Sequence, residues 1–247
     1  MQYIEKLRDL VANAESTVFF GGAGVSTASG IPDFRSSDGL YNSDNDEGES
    51  PEYKLHRRYL NAHPEKFFDF YRRCMIYPDA CPNEAHKSLA ALERLGFLSA
   101  VITQNIDGLH RDAGNDNVIE LHGSVHRNYC VSCGKRYNFV KMIYSEGVPR
   151  CDACGGIVRP DVTLYGEALD SYYFDCAVEA INDADLLIVG GTSLRVSPAA
   201  DLVAAFEGTL VIINRDPTPF DYCAELVIRD PIEAVLPELV DKLADIL

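Results

Sequence analysis

The sequence predicts an α/β fold in which a doubly wound parallel sheet carries a second, smaller lobe. Three observations predict it. Short apolar runs recur along the chain, mostly β-branched and not alternating, as in strands covered on both faces. Helical spacing of apolar residues lies between several of them. Two stretches, 36–83 and 123–159, interrupt this alternation, and the second holds four cysteines with little apolar periodicity. At 247 residues and 47% hydrophobic content, the chain can bury a core without staples, which excludes a disordered tail or a disulfide-held miniprotein.

The elements follow in order. Ile4, Leu7, Leu10 and Val11 recur at helical spacing, and Asn13 to Ser16 break the pattern. Thr17-Val18-Phe19-Phe20 is a short buried strand running straight into Gly21-Gly22-Ala23-Gly24. A polar loop, 43–50, precedes a helix with Phe67, Phe70, Tyr71 and Cys74 on one face. The next helix, Glu84 to Leu95, places Ala85, Leu89 and Leu92 together and stops at Gly96. Further strands are expected at Ser99–Thr103, Val118–Leu121, Leu186–Val189, Leu210–Ile213 and Leu226–Ile228. Ser197-Pro198 reads as an N-cap followed by proline at the first helical position. The expected organisation is a Rossmann-like domain from 1–35, 84–122 and 160–247, a helical module at 36–83 with a cofactor-binding loop, and a metal-binding module at 123–159.

Charge narrows the function. The chain carries 22 basic and 38 acidic residues, a formal net charge of −16. Such a surface repels phosphate backbones and anionic lipid heads, so nucleic-acid or membrane binding is not the expected role, and it attracts cationic partners such as Lys-rich peptides. No apolar run approaches the ~18–20 residues of a membrane span. The start, Met1 to Lys6, lacks the basic and apolar regions of a signal peptide, so a cytoplasmic location is expected. The eight cysteines should then be reduced, metal-bound or catalytic.

Cys130-x-x-Cys133 and Cys151-x-x-Cys154 stand 17 residues apart, each pair followed by a glycine (Gly134, Gly155) that permits a tight turn. Four thiolates suit a closed tetrahedral Zn²⁺ site with Zn–S distances of ~2.3 Å, structural because no position is left for water. The alternative is two unrelated redox pairs. Cys74, Cys81, Cys176 and Cys223 have no partner at ligand spacing and are expected to be packing residues.

The Gly21-Gly22-Ala23-Gly24-Val25-Ser26 turn after the first strand lets a backbone approach a pyrophosphate, although the third glycine of a full dinucleotide motif is missing. Ser26 to Arg35 then places a carboxylate, an aromatic ring and a guanidinium in succession at Asp33-Phe34-Arg35. Gln104, Asn105 and Asp107 leave the end of another strand, His122-Gly123 follows the next, and Gly191-Thr192-Ser193 and Asn214-Arg215 follow two more. Ligands of open α/β sheets bind at such carboxyl ends. A histidine there suits a base near neutral pH.

With these residues in this order, the chain resembles the sirtuin family of NAD-dependent protein-lysine deacylases. The resemblance rests on Gly22-Ala23-Gly24-Val25-Ser26, Gly30-Ile31-Pro32-Asp33-Phe34-Arg35, Thr103-Gln104-Asn105-Ile106-Asp107-Gly108, His122-Gly123, the four cysteines, Gly191-Thr192-Ser193-Leu194 and Ile213-Asn214. It implies NAD⁺ as co-substrate, one structural zinc, acetyl-lysine proteins or peptides as substrate, and nicotinamide and 2′-O-acyl-ADP-ribose as products. Ala23, Thr27, Phe34 and Arg35 would line the phosphate and ribose region, and Ser26, Ile31, Asp33, Ile106 and Asp107 the nicotinamide pocket. Gln104 and Asn105 would hold the nicotinamide-side ribose, Thr192, Ser193, Asn214, Arg215 and Ile232 the adenosine half. Catalysis would fall to Asn105, Asp107 and His122, the last as general base. Thr163, Tyr165 and Gly166 would meet the substrate.

Thr163 and Tyr165 depart from the valine and phenylalanine common in the family, which bears on acyl preference. The Tyr-x-x-Arg pair of desuccinylating members is incomplete around Phe70-Tyr71-Arg72-Arg73-Cys74, so acetyl or another neutral acyl group is expected, with Arg73 keeping a dicarboxylate open. Mono-ADP-ribosyl transfer, an NAD-sensing binding module and a dehydrogenase are the competing readings. Dependence of nicotinamide release on an acylated peptide separates the first from deacylation. The Asn105, Asp107 and His122 set speaks against a mere sensor, and the missing ribose-reading acid against a dehydrogenase.

Overall fold

The structure, a computed structural model, describes residues 2–33, 39 and 48–246. The chain runs α1 (Gln2–Asn13), β1 (Thr17–Gly21), α2 (Pro51–Lys54), α3 (Arg57–Ala62), α4 (Pro64–Met75), α5 (Glu84–Arg94), β2 (Ala100–Thr103), α6 (Leu109–Asp112), β3 (Val118–Glu120), β4 (Gly123–Cys130), β5 (Arg136–Asn138), α7 (Phe139–Tyr144), β6 (Val158–Val162), α8 (Ser171–Asn182), β7 (Leu186–Gly190), α9 (Ala199–Ala204), β8 (Thr209–Ile213), β9 (Leu226–Ile228) and α10 (Ile232–Ala244). Short 3-10 turns lie at Ala23–Val25, Thr27–Ser29 and Asp221–Cys223.

Six parallel strands form one sheet in the order β3-β2-β1-β7-β8-β9. The chain winds outward from β1 to β3, then returns to the other flank of β1 and winds outward again. Strand order therefore reverses between β1 and β7, and such a switch point opens a crevice at the carboxyl ends of the strands. Alternate strand residues serve two cores. Phe19, Val101, Ile188 and Val211 pack with Leu7, Leu89 and Leu236 of α1, α5 and α10. Phe20, Ile102, Leu187 and Ile212 pack with Ile181 and Leu202 of α8 and α9. Covering both faces is what makes these strands read as unbroken apolar runs, and each fully buried large side chain contributes about 1.5–3 kcal/mol.

Local chemistry sets the helix ends. The Asn83 side chain accepts from the Ala85 N–H at 2.8 Å and caps α5, and Gly96, with φ +82°, supplies its left-handed stop. At α9 the expected cap is displaced by one residue. Pro198 occupies the N-cap, because the Ser197 hydroxyl is committed to the Asp201 carboxylate (2.8 Å) and not to a backbone N–H.

The smaller lobe is an antiparallel sheet, β5-β4-β6, with a register shift between Ser124 and Asn128. Tyr59, Phe67, Phe68 and Tyr71 of α3 and α4 share one core with Met142, Val158, Cys130 and Cys151. The helical and cysteine stretches thus pack as one unit, and position 159/160, expected as a boundary, lies inside β6. The expectation that four cysteines serve packing is corrected at two of them. Cys74 and Cys176 pack beside Phe70 and in the α8 core, but Cys81 and Cys223 are exposed in turns, with sulfurs directed at the carbonyls of Asp79 and Phe220. Among the described residues, no helix is long and apolar enough to cross a membrane.

Candidate active site

The switch point is built by two turns that cross at backbone contact. Gly22 N–H donates to Gly190 O (3.2 Å) and Gly24 N–H to Gly191 O (2.8 Å). A Cβ on Gly22 would lie 2.7 Å from Thr192 Cβ, and one on Gly24 would lie 2.8 Å from Gly191 Cα. These glycines are required by the meeting of the β1 and β7 turns as well as by any approaching phosphate. That packing reason cannot be read from the β1 turn alone.

Beneath the turn, Ser26 is a buried hub. Its hydroxyl donates to Asp107 Oδ2 (2.7 Å) and accepts from Asn105 Nδ2 (3.0 Å), which also donates to Gly22 O (3.1 Å). His86 Nε2 lies 3.4 Å from the same hydroxyl. Because His86 Nδ1 accepts the Asn83 N–H (3.3 Å), Nε2 carries the proton and donates to Ser26. Burial holds His86 down to about 4, so it is neutral. Sequence reasoning missed His86; its signal is the Asn83-x-x-His86 capping spacing. Burial pushes the Asp107 carboxyl up, opposed by hydrogen bonds from the Leu109 N–H (2.9 Å) and Ser26.

His122 is fixed from two sides. Its Nδ1 lies 2.9 Å from Gln104 O, and a carbonyl only accepts, so Nδ1 carries the proton and Nε2 is left as acceptor. Burial lowers its pKa, only partly offset by that hydrogen bond. The His122 carbonyl accepts the Thr163 N–H (2.9 Å), and the chain then turns through Gly123 at φ +80°. Gln104 Nε2 in turn donates to Thr192 Oγ1 (3.0 Å), linking β2 to the β7 turn.

The segment from Thr163 to Glu167 walls the same space. Tyr165 N–H donates to Leu55 O (3.1 Å) and Tyr165 O accepts from Arg57 N–H (3.0 Å), so Tyr165 offers its side chain, not its backbone. Gly166, at φ +81°, leaves no room for a Cβ, which would lie 2.5 Å from His56 Cε1. Burial raises the Glu167 carboxyl, but Arg159, through two bonds of 2.6 and 3.0 Å, and the Leu164 N–H hold it below the usual carboxylate range.

These features face one cleft of about 1430 Å³, larger than the ~300–1,000 Å³ of a single small-molecule pocket. Every described residue expected at the dinucleotide or the peptide lines it: Ala23, Ser26, Thr27, Ile31 and Asp33; Gln104 to Asp107; His122; Thr163, Tyr165 and Gly166; Thr192, Ser193, Asn214, Arg215 and Ile232. Phe34 and Arg35 lie outside the described residues. Arg215 pairs with Glu233 (3.3 Å), and Asn214 Nδ2 donates to Asp216 O (2.8 Å), which sets both at the end of β8.

The four sulfurs of Cys130, Cys133, Cys151 and Cys154 lie within 4.8 Å of one another, with 3.5 Å between Cys130 and Cys154 and 3.6 Å between Cys133 and Cys151. Four thiolates at ~2.3 Å from a tetrahedral zinc stand roughly 3.8 Å apart, so the donor set fits that ion. Gly134 and Gly155, at φ +73° and +74°, turn the chain after each pair, as the spacing requires. Tyr137 hydroxyl donates to Cys151 Sγ at 3.0 Å.

The Sir2 family model matches residues 22–198. An NAD-dependent protein deacetylase of Clostridium acetobutylicum is 54% identical over 239 residues, covering 96% of this chain and 98% of the relative. A solved Sir2 with a p53 peptide and NAD⁺ superposes with a TM-score of 0.86 at 39% identity, covering 99% of both chains. A Sir2 variant with a deacetylated p53 peptide and 3′-O-acetyl ADP ribose gives 0.89 at 38%, covering 97% of this chain and 98% of that one. A family match over most of its length and a relative more than half identical from end to end establish that the chain belongs to the Sir2 family.

Proposed function

We propose that this protein is an NAD-dependent protein-lysine deacetylase that transfers an acetyl, or similar neutral acyl, group from lysine to ADP-ribose and releases nicotinamide. The observation that carries it is His122: Nδ1–H is tied to Gln104 O, and Nε2 is left as proton acceptor in the cleft that holds Asn105 and Asp107. Bound NAD⁺ supplies a ribose carbon from which nicotinamide can leave. The chain's residues do the rest by placement. The Asp107 carboxylate, held by Ser26 and Leu109, accepts from the carboxamide, with Ile31, Asp33 and Ile106 around it. Gln104 and Asn105 hold the adjacent ribose. Ala23, Thr27, Phe34 and Arg35 take the phosphates and their ribose, and Thr192, Ser193, Asn214, Arg215 and Ile232 hold the adenosine half. His122 Nε2 takes a proton from the ribose hydroxyls. Most of the acceleration comes from alignment and a fixed pocket for charge.

The substrate is an acetyl-lysine protein or peptide, seated against Thr163, Tyr165 and Gly166. The curated relative named above is an NAD-dependent protein deacetylase, and a solved relative carries a p53 peptide. Nucleic acid and membrane are not partners, consistent with a net charge of −16. The cysteine quartet would hold one zinc as a structural ion of the smaller lobe. The division into a nucleotide-binding domain and a smaller lobe, in which the helical and zinc modules share one core, belongs to the same reading, as does a cytoplasmic location, where free thiols persist.

Mass spectrometry of acetyl-lysine peptides with and without NAD⁺ tests this. Deacetylated peptide, nicotinamide and O-acetyl-ADP-ribose should form one for one. Nicotinamide released at the same rate without peptide, or ADP-ribose found on a protein side chain, would replace deacetylation with the competing transfer.

A further inference from the structure

We propose that Tyr71 makes the cleft selective for lysines whose acyl chain bears a neutral hydrogen-bonding group, such as 3-hydroxybutyryl, over the hydrocarbon chain of equal length. This deepens the deacylase reading and rests on it. Tyr71 is 0% exposed, and its hydroxyl has no hydrogen-bond partner among the described residues. Its ring is stacked on Phe67 at 5.8 Å, which fixes its orientation. A buried hydroxyl without a partner carries a desolvation penalty that a correctly placed ligand group removes.

The residue borders the cleft beside the segment from Thr163 to Gly166. Tyr71 lines the cleft with Leu55, Cys74, Met75 and Leu164. It shares a core with Leu164 of the substrate-facing segment and with Ile106, the neighbour of Asp107. The surroundings also decide the charge of the ligand. Arg73, the cation that left a dicarboxylate open, is exposed on α4 and does not line the cleft. Arg72 is committed to the carbonyls of Met142 and Gly147. Arg159, whose charge reaches Tyr71, is paired through both guanidinium amines with Glu167. Among the described residues, the arginines that line the cleft are Arg195 and Arg215, which follow β7 and β8. Among the described residues, none of Arg72, Arg73 and Arg159 lines the cleft to meet a carboxylate-tipped chain, whereas a hydroxyl can satisfy Tyr71. Sites with a polar group to satisfy discriminate strongly against the analogue that lacks it.

The test compares butyryl-lysine with (R)- and (S)-3-hydroxybutyryl-lysine in one peptide sequence, with the acetyl peptide as control. In the intact protein, kcat/KM for the better hydroxyacyl enantiomer should exceed that for butyryl by about five- to tenfold, the worth of one net hydrogen bond. Tyr71→Phe should bring the ratio to about one or below. A wild-type ratio at or below one, or a ratio unmoved by Tyr71→Phe, overturns the proposal. Should the phenylalanine variant not fold, Tyr71→Leu takes its place, and the wild-type ratio remains decisive alone. Absence of turnover on the acetyl control would instead overturn the deacylase reading. Calorimetric binding of the paired peptides to the wild-type protein then decides, a Kd ratio of five or more supporting the role of Tyr71 and equal Kd values refuting it.

Discussion

Replacing Gly123 by alanine isolates what holds the base in place. The residue follows His122 at φ +80°, and a Cβ there would lie 2.0 Å from Asp161 O and 2.9 Å from its carbonyl carbon. An L-residue in that conformation costs about 1–2 kcal/mol. To restore a contact of ordinary length, β4 and β6 must part by roughly 1 Å at their junction, which overpacking data put at about 1–3 kcal/mol. The bond from Thr163 N–H to His122 O, at 2.9 Å, spans that junction and is lost with it, adding about 1 kcal/mol. The sum, roughly 3–6 kcal/mol, lowers the melting midpoint by about 6–24 °C at ~2–4 °C per kcal/mol. Turnover suffers separately, because a displacement of about 1 Å at a reacting group can cost roughly 10²-fold. NAD⁺ affinity should fall less than turnover, since the turns after β1, β7 and β8 belong to the six-stranded sheet and Gly123 to the other. The assay is deacetylation kinetics beside calorimetric NAD⁺ binding and thermal melting. A Gly123→Ala protein that melts with the wild type and keeps kcat within twofold would refute the packing reasoning.

Further outcomes follow from the same geometry. His122→Ala should lower turnover by about 10²–10⁴-fold while the protein stays folded and binds NAD⁺, and full activity would remove His122 from its role. Burial places the folded-state pKa of His86 at about 4, below its ordinary 6.5, and pushes His110 and His122 down as well. The stabilisation tied to His86 is therefore complete above pH 6.5 and drains away as pH falls toward 4, by about 3 kcal/mol, and His110 and His122 act in the same direction. A melting curve flat between pH 7 and 4, or unchanged in slope by His86→Asn, would contradict this. Removing zinc should melt the smaller lobe, helices α3 and α4 included, because Cys130 and Cys151 share their core. Stoichiometric zinc loss with unchanged melting and activity would exclude a structural ion.

Much of this was legible in the sequence for a physical reason. Strands β1, β2, β7 and β8 are buried on both faces, so each reads as an uninterrupted apolar run, placed to within one residue or so. The polar residues beyond them converge because parallel strands end on one edge. The β4–β6 sheet was illegible, since its register shift and half-exposed residues blur the alternation by which a strand is recognised. Cys81 and Cys223 misled because cysteine composition carries no information on exposure. The family resemblance places Ser26 in the nicotinamide pocket, but its links to Asn105, Asp107 and His86 join residues 60 to 81 positions apart, which no local pattern reveals.

The position of β1 in the sheet has a consequence for biosynthesis. Thr17 pairs with Leu186, so one flank of a fully buried strand stays unmatched until β7 leaves the ribosome. At roughly 5–20 residues per second, that interval lasts about 10–30 s. During it the nascent chain presents a bare sheet edge, and chaperone engagement should peak before residue 186 is translated and fall once β7 docks.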